Sequence, residues 1–278
     1  MRGVSVAADS LLRARRRARR STASLGLVTR DEAFRTLRSN VLVATSDLSN
    51  PSIIVTSAVP GEGKTSTCAA LAESIAASGP MVVAVDLDLR RPDLHTRFGV
   101  ENGRGVSDVL SGRATVADCL VRVGLAGDDG AGGSNGSGPD RGYPGRGALF
   151  VLPAGPPVSH PAELLGGPRT AQVLEALREH ADFVIIDTPP VLPVADALGL
   201  GRLVSGALLV VETGRVPLPA VQRAKAELTR NQVRILGMVL NRFDDQDSLA
   251  PYRFDYTADA APTAGTSTVG DLTRLLGR

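Results

Sequence analysis

The sequence predicts a three-layer α/β domain with a mostly parallel central sheet. Three observations carry that prediction. Short apolar, β-branched runs recur at Ile53–Val55, Met81–Val85, Leu149–Leu152, Phe183–Ile186, Ala207–Val211 and Ile235–Leu240. They are apolar throughout rather than alternating, as strands covered on both faces must be. Helical stretches lie between them, near 65–78, 169–181 and 217–230, and this alternation builds α/β layers. Finally, the 278 residues are 43% hydrophobic but only 3% aromatic, with no Trp. The core must therefore be assembled from Val, Leu, Ile and Ala.

Along the chain, residues 1–28 read as a basic flexible arm. Residues 1–20 hold seven Arg and one Asp, a net of +6, against +2 for the whole chain. The remainder therefore carries −4. The run Arg13–Arg20 suits a solvated tail, an anionic membrane surface or nonspecific nucleic acid; the overall charge calls for no specific nucleic acid partner. A helix follows, with Thr29 as N-cap and Glu32 at N3 of a capping box, and Phe34, Leu37 and Val41 at helical spacing. Glu32, Arg35 and Arg38 form E-x-x-R-x-x-R, three residues on one broad face, either solvated or an interface.

The strand at 53–55 leads into Ala58-Val59-Pro60-Gly61-Glu62-Gly63-Lys64-Thr65, with a helix beginning near Thr65. This is a P-loop with Ala in place of the first Gly. Backbone N–H groups must approach phosphate oxygens, so bulky side chains are excluded at Gly61 and Gly63. Pro60, Gly61, Glu62, Gly63, Lys64, Thr65 and Ser66 are the nucleotide-binding candidates. Lys64 suits the β- and γ-phosphates, and the Thr65 hydroxyl suits Mg²⁺. The fold class narrows to a three-layer P-loop NTPase domain, spanning 29–245.

The second strand ends in Asp86-Leu87-Asp88-Leu89-Arg90-Arg91. Carboxylates at a strand's carboxyl end can hold Mg²⁺ or take a proton; equally, they can cap the next helix or pair with Arg90 and Arg91. Residues 124–147 form a Gly-rich stretch that reads as a flexible surface insertion. The strand at 183–186 closes on Asp187-Thr188-Pro189-Pro190, a hydrophobic run ending in a carboxylate that suits Mg²⁺, while the two prolines set a rigid turn. Asn241 closes the last strand, either to meet an adenine edge or as a turn residue. A polar tail over 246–278 carries Tyr252 and Tyr256 and a short helical end at 269–276. Tyr143 is the one other tyrosine. Cys68 and Cys119 form no CxxC pair, which argues against a disulfide scaffold or a Cys-based zinc site. No apolar run reaches the roughly 18 residues of a membrane span, and no secretory h-region is present, so a cytoplasmic chain is expected.

Together these motifs resemble the bacterial protein-tyrosine kinases of capsule and exopolysaccharide biosynthesis. The resemblance runs through Glu32–Asn40, the P-loop, Val85–His95, Gly105–Leu110, Pro161–Leu165 and Asp187–Val191. It implies Mg-ATP-dependent phosphorylation of tyrosine on a P-loop fold, with Lys64, Asp86, Asp88 and Asp187 catalytic and Thr65, Asp86 and Asp187 serving the metal. It implies ring-like self-association through Glu32, Arg35 and Arg38, and autophosphorylation at Tyr252 and Tyr256 in a neighbour's active site. It also implies a membrane chain-length regulator or adaptor as partner, recruiting the chain to the inner face of the plasma membrane, with the basic arm near that surface. The chain departs from the family in its two-tyrosine tail, its Gly-rich insertion, and Ser159-His160 before Pro161. Two other functions share the scaffold: an ATPase switch of the partitioning and septum-site type, and a nucleotide-binding regulator without catalysis. The switch proteins carry a second lysine early in the P-loop, where this chain has Val59.

Overall fold

A computed structural model describes residues 30–125, 147–194 and 196–242. All fall in the unit that ends at Arg242. Their strands are β1 (Ser52–Ser57), β2 (Met81–Asp86), β3 (Val121–Val123), β4 (Ala148–Leu152), β5 (Phe183–Asp187), β6 (Gly206–Glu212) and β7 (Ile235–Asn241). One sheet holds them in the order β3-β4-β2-β5-β1-β6-β7. Neighbours run parallel except for the antiparallel β3–β4 pair. Six strands match the apolar runs in the sequence. β3 adds a seventh: it is three residues long and largely exposed, too short to leave an apolar run.

The helices are α1 (30–44), α2 (Lys64–Ala76), α3 (Leu94–Phe98), α4 (Val106–Ser111), α5 (Val116–Cys119), α6 (Pro161–Leu165), α7 (Pro168–His180) and α8 (Leu218–Arg230). The long ones fall where helical spacing predicts them. The four short ones have too few turns to show a period. Pro168 starts α7, a position where a missing N–H costs nothing.

Strand residues alternate between two cores. Ile54, Val83, Val85, Val184, Ile186, Leu209 and Val211 face a cluster shared with α4, α7 and α8. Ile53, Val55, Val82, Ala84, Ile185, Leu208 and Val210 face a second cluster, shared with α1, α2 and α3. The continuous apolar runs thus supply both faces of the middle layer.

Strand register then sets up the site. Asp86 pairs with Asp187 across β2 and β5, and Asp187 pairs with Val55 across β5 and β1. The turn after β5 continues alongside β1: Thr188 donates from both its N–H and its hydroxyl to the Val55 carbonyl, and Val191 N–H donates to Ser57. Thr56 Oγ1 donates to the Pro189 carbonyl at 3.0 Å. The double proline is therefore fastened against the strand that feeds the P-loop.

Thr29, the arm at 1–28, residues 126–146 of the Gly-rich stretch, Tyr143, Tyr252, Tyr256 and the tail with its helical end lie outside the described residues. Ile185 is fully buried at the centre of the sheet. Its replacement by Ala is expected to lower stability by about 2–5 kcal/mol, read from urea unfolding with an unchanged m-value.

Candidate active site

The P-loop bridges the end of β1 and the start of α2. Gly61 and Gly63 sit at φ +86° and +89°, in the left-handed region that strains any residue with a Cβ. A Cβ on Gly63 would also stand 2.0 Å from Asn241 Nδ2, so the requirement for glycine there is double. No side chain caps the first turn of α2, which leaves its N–H groups for a ligand.

Lys64 lies among the carboxylates predicted from sequence. Its Nζ is 2.8 Å from Asp88 Oδ2 and 3.7 Å from Asp187 Oδ1. Asp187 is fully buried, and neither of its oxygens accepts a hydrogen bond. Burial raises its pKa to about 6, against the opposing pull of Lys64. Asp86 is also fully buried. Its Oδ1 accepts from Asp88 N–H and its Oδ2 from Leu94 N–H, both at 3.1 Å. Burial, then the charge of Asp187, raises its pKa to about 8. Asp88 Oδ1 accepts from Arg91 N–H at 3.0 Å. These carboxylates organise the turn into α3, and Asp88 also pairs with the P-loop lysine. Arg90 pairs instead with Asp196, at 2.7 and 3.1 Å.

This donor set fits Mg²⁺ with a polyphosphate. A buried carboxylate with two open oxygens, next to the Thr65 hydroxyl and a lysine, calls for a cation and for phosphate oxygens. Among the described residues no cluster of three or more ligating side chains could hold a metal by itself. Mg²⁺ in such sites takes only one or two carboxylates and completes its shell with phosphates and water.

The chain matches the family model described as the CobQ/CobB/MinD/ParA nucleotide binding domain over residues 53–256. It is 34% identical over 210 residues to tyrosine-protein kinase YwqD of Bacillus subtilis (strain 168), covering 76% of this chain and 80% of that protein. This chain belongs to the bacterial tyrosine-protein kinases. The putative tyrosine-protein kinase CapB of Staphylococcus aureus is 29% identical, with 82% of this chain and 90% of CapB covered. The solved kinase domain of Escherichia coli ETK superposes with a TM-score of 0.68 at 31% identity, covering 85% of this chain and 80% of that domain.

Three sets of motif residues make contacts that local spacing does not show. Asn241 does not present a free amide: its Nδ2 donates to the Glu62 carbonyl at 2.8 Å. Glu62 engages main chain through its carboxylate, accepting from Val59 N–H at 2.7 Å and Glu212 N–H at 3.1 Å. Glu32, Arg35 and Arg38 do not share one free face. Glu32 and Arg35 are exposed and pair at 3.3 Å, whereas Arg38 donates to the Ser74 carbonyl of α2 at 2.9 Å. Two steps of three residues carry Arg38 far enough round the helix to meet α2.

Two arginines that pair with Glu212 escaped the motif reading. Arg215 Nη1 pairs with Glu212 at 2.7 Å, and Arg215 Nη2 donates to the Pro60 carbonyl at 3.3 Å. Arg242 pairs with the other Glu212 oxygen at 2.6 Å. They follow the ends of β6 and β7, and the placement of Arg215 beside Pro60 becomes visible only once the sheet order is known. Among the described residues, no helix is long and apolar enough to cross a membrane.

Asp86 and Asp187 are more basic in the folded kinase than an unfolded Asp at about 4. The folded state thus holds protons that the unfolded chain releases, and this contribution to stability is lost as pH rises through about 4 to 8. In metal-free buffer, Asp187→Asn is expected to raise the melting temperature relative to the parent, by an increment that grows between about pH 5 and pH 7.5. Calorimetry across that range checks it.

Proposed function

We propose that this chain is an ATP-dependent protein-tyrosine autokinase that regulates capsular and exopolysaccharide synthesis and export. The observation that carries this reading is the cluster of Lys64, Asp88 and the buried Asp187 carboxylate, which has a distant ion pair with Lys64 but no hydrogen-bond partner, beneath a P-loop. Membership among the tyrosine-protein kinases supplies the acceptor class.

In this proposal ATP lies across Pro60–Ser66, and Lys64 leaves Asp88 to meet the β- and γ-phosphates. Thr65 and Asp187 would hold Mg²⁺, with Asp86 paired beside Asp187 in the sheet. When bound, Mg²⁺ neutralises charge on the phosphate oxygens. A tyrosine hydroxyl of a neighbouring copy, Tyr252 or Tyr256, attacks the γ-phosphorus in line. The bond from that phosphorus to the β-phosphate oxygen breaks, ADP leaves, and the phenolic proton passes to Asp86. Each Asp86 oxygen keeps a second lone pair beside its backbone bond. Positioning and charge neutralisation supply most of the rate. The Asn241 amide retains a second N–H and its oxygen for an adenine edge.

Self-association uses the exposed Glu32 and Arg35 of α1, while Arg38 ties that helix to α2. The partner is a membrane chain-length regulator or adaptor that recruits the kinase from the cytoplasm to the inner face of the plasma membrane, where the basic arm meets anionic lipid. Val59 stands where a partitioning-type switch requires a lysine, and its uncharged side chain packs partly buried on the core, which favours the kinase reading.

Purified protein, with the cytoplasmic segment of its membrane partner, is expected to incorporate label from γ-labelled ATP as phosphotyrosine. Lys64→Met is expected to abolish transfer while leaving the fold intact, and Tyr252→Phe with Tyr256→Phe to remove the acceptor signal. Phosphate release without labelled protein would point to the switch; nucleotide binding with neither product would point to the regulator.

A further inference from the structure

A carboxylate inside a triphosphate-binding loop is electrostatically out of place unless it does something other than meet phosphate. Glu62 lies two residues before Lys64 and is fully buried. Among the described residues it has no ion-pair partner; both oxygens accept main-chain N–H groups instead. Oε1 takes Val59 N–H at the entry to the loop, and Oε2 takes Glu212 N–H at the end of β6. One side chain thus closes the loop on itself and fastens it to the neighbouring strand.

Further ties from the β6–β7 edge reach the same segment. Asn241 donates to the Glu62 carbonyl, and Arg215, held by Glu212, donates to the Pro60 carbonyl. Glu62 is flanked by two glycines in the left-handed region. Without restraint, glycines sample far more conformations than any other residue, and ordering them would weigh on each binding event.

We propose that Glu62 is the positioning residue of the phosphate loop: its carboxylate sets the N–H array before nucleotide arrives and touches no phosphate itself. With Mg-ATP as the loop's ligand, as proposed above, nucleotide affinity depends on a carboxylate specifically. Two N–H donors need two acceptors. A carboxylate supplies both, whereas Gln of nearly equal volume supplies one acceptor and sets an NH₂ group against the other donor.

The test compares the full chain with Glu62→Gln, and with Val173→Ala, a core truncation in α7 on the opposite side of the sheet from α2. Calorimetric titration with Mg-ATP and the melting temperature without nucleotide are measured for each. Glu62→Gln is expected to weaken Mg-ATP binding about tenfold or more, the effect of leaving one buried donor unmet. Val173→Ala should melt lower yet keep parental affinity, which separates positioning from general stability. In the nucleotide-free parent, the Val59 and Glu212 amides should exchange their hydrogens slowly, a measurement that holds even where Glu62→Gln fails to fold. Parental affinity in Glu62→Gln, or exchange at those two amides as fast as in open loops, overturns the proposal. A parent chain that binds no Mg-ATP overturns the Mg-ATP reading and the Glu62 proposal with it.

Discussion

The structure depends on one electrostatic arrangement: a single ammonium, Lys64, set among Asp86, Asp88 and Asp187, all at most 3% exposed. Three buried carboxylates against one cation leave an excess of negative charge that the interior cannot solvate. The chain meets part of this excess with backbone N–H groups on Asp86 and Asp88. Asp187 receives none. The remaining demand is for a cation.

Sheet order brings these groups together. β5 lies between β2 and β1, so the strand ending in Asp187 is flanked by the strand ending in Asp86 and by the strand that becomes the P-loop. All three run parallel, and their carboxyl ends open on one edge, where α/β sheets take their ligands. On the other side of β1, β6 and β7 contribute Glu212, Arg215 and Asn241, which hold the loop from without. The loop is thus gripped from one side and charged from the other.

Much of this was legible in the sequence because it is local. Apolar runs of three to six residues announce the long strands, and Gly61-Glu62-Gly63-Lys64-Thr65 carries its own spacing. Asp86 and Asp187 could be placed because each closes an apolar run, and Asp88 because it follows Asp86 by two residues. What stayed hidden joins residues far apart in the chain. Glu62 meets Glu212, Asn241 returns to Glu62, and Arg38 crosses to Ser74. No local pattern encodes which strand lies next to which. Strand β3 was missed for another reason: three largely exposed residues on an edge need no apolar run.

A crystal structure of the kinase with Mg²⁺ and a non-hydrolysable ATP analogue is the most direct test of this account. It predicts that Lys64 will have left Asp88 for the β- and γ-phosphate oxygens, with the ion between Thr65 and Asp187. The account is contradicted if the analogue binds while Lys64 stays on Asp88 and both Asp187 oxygens remain without a ligand.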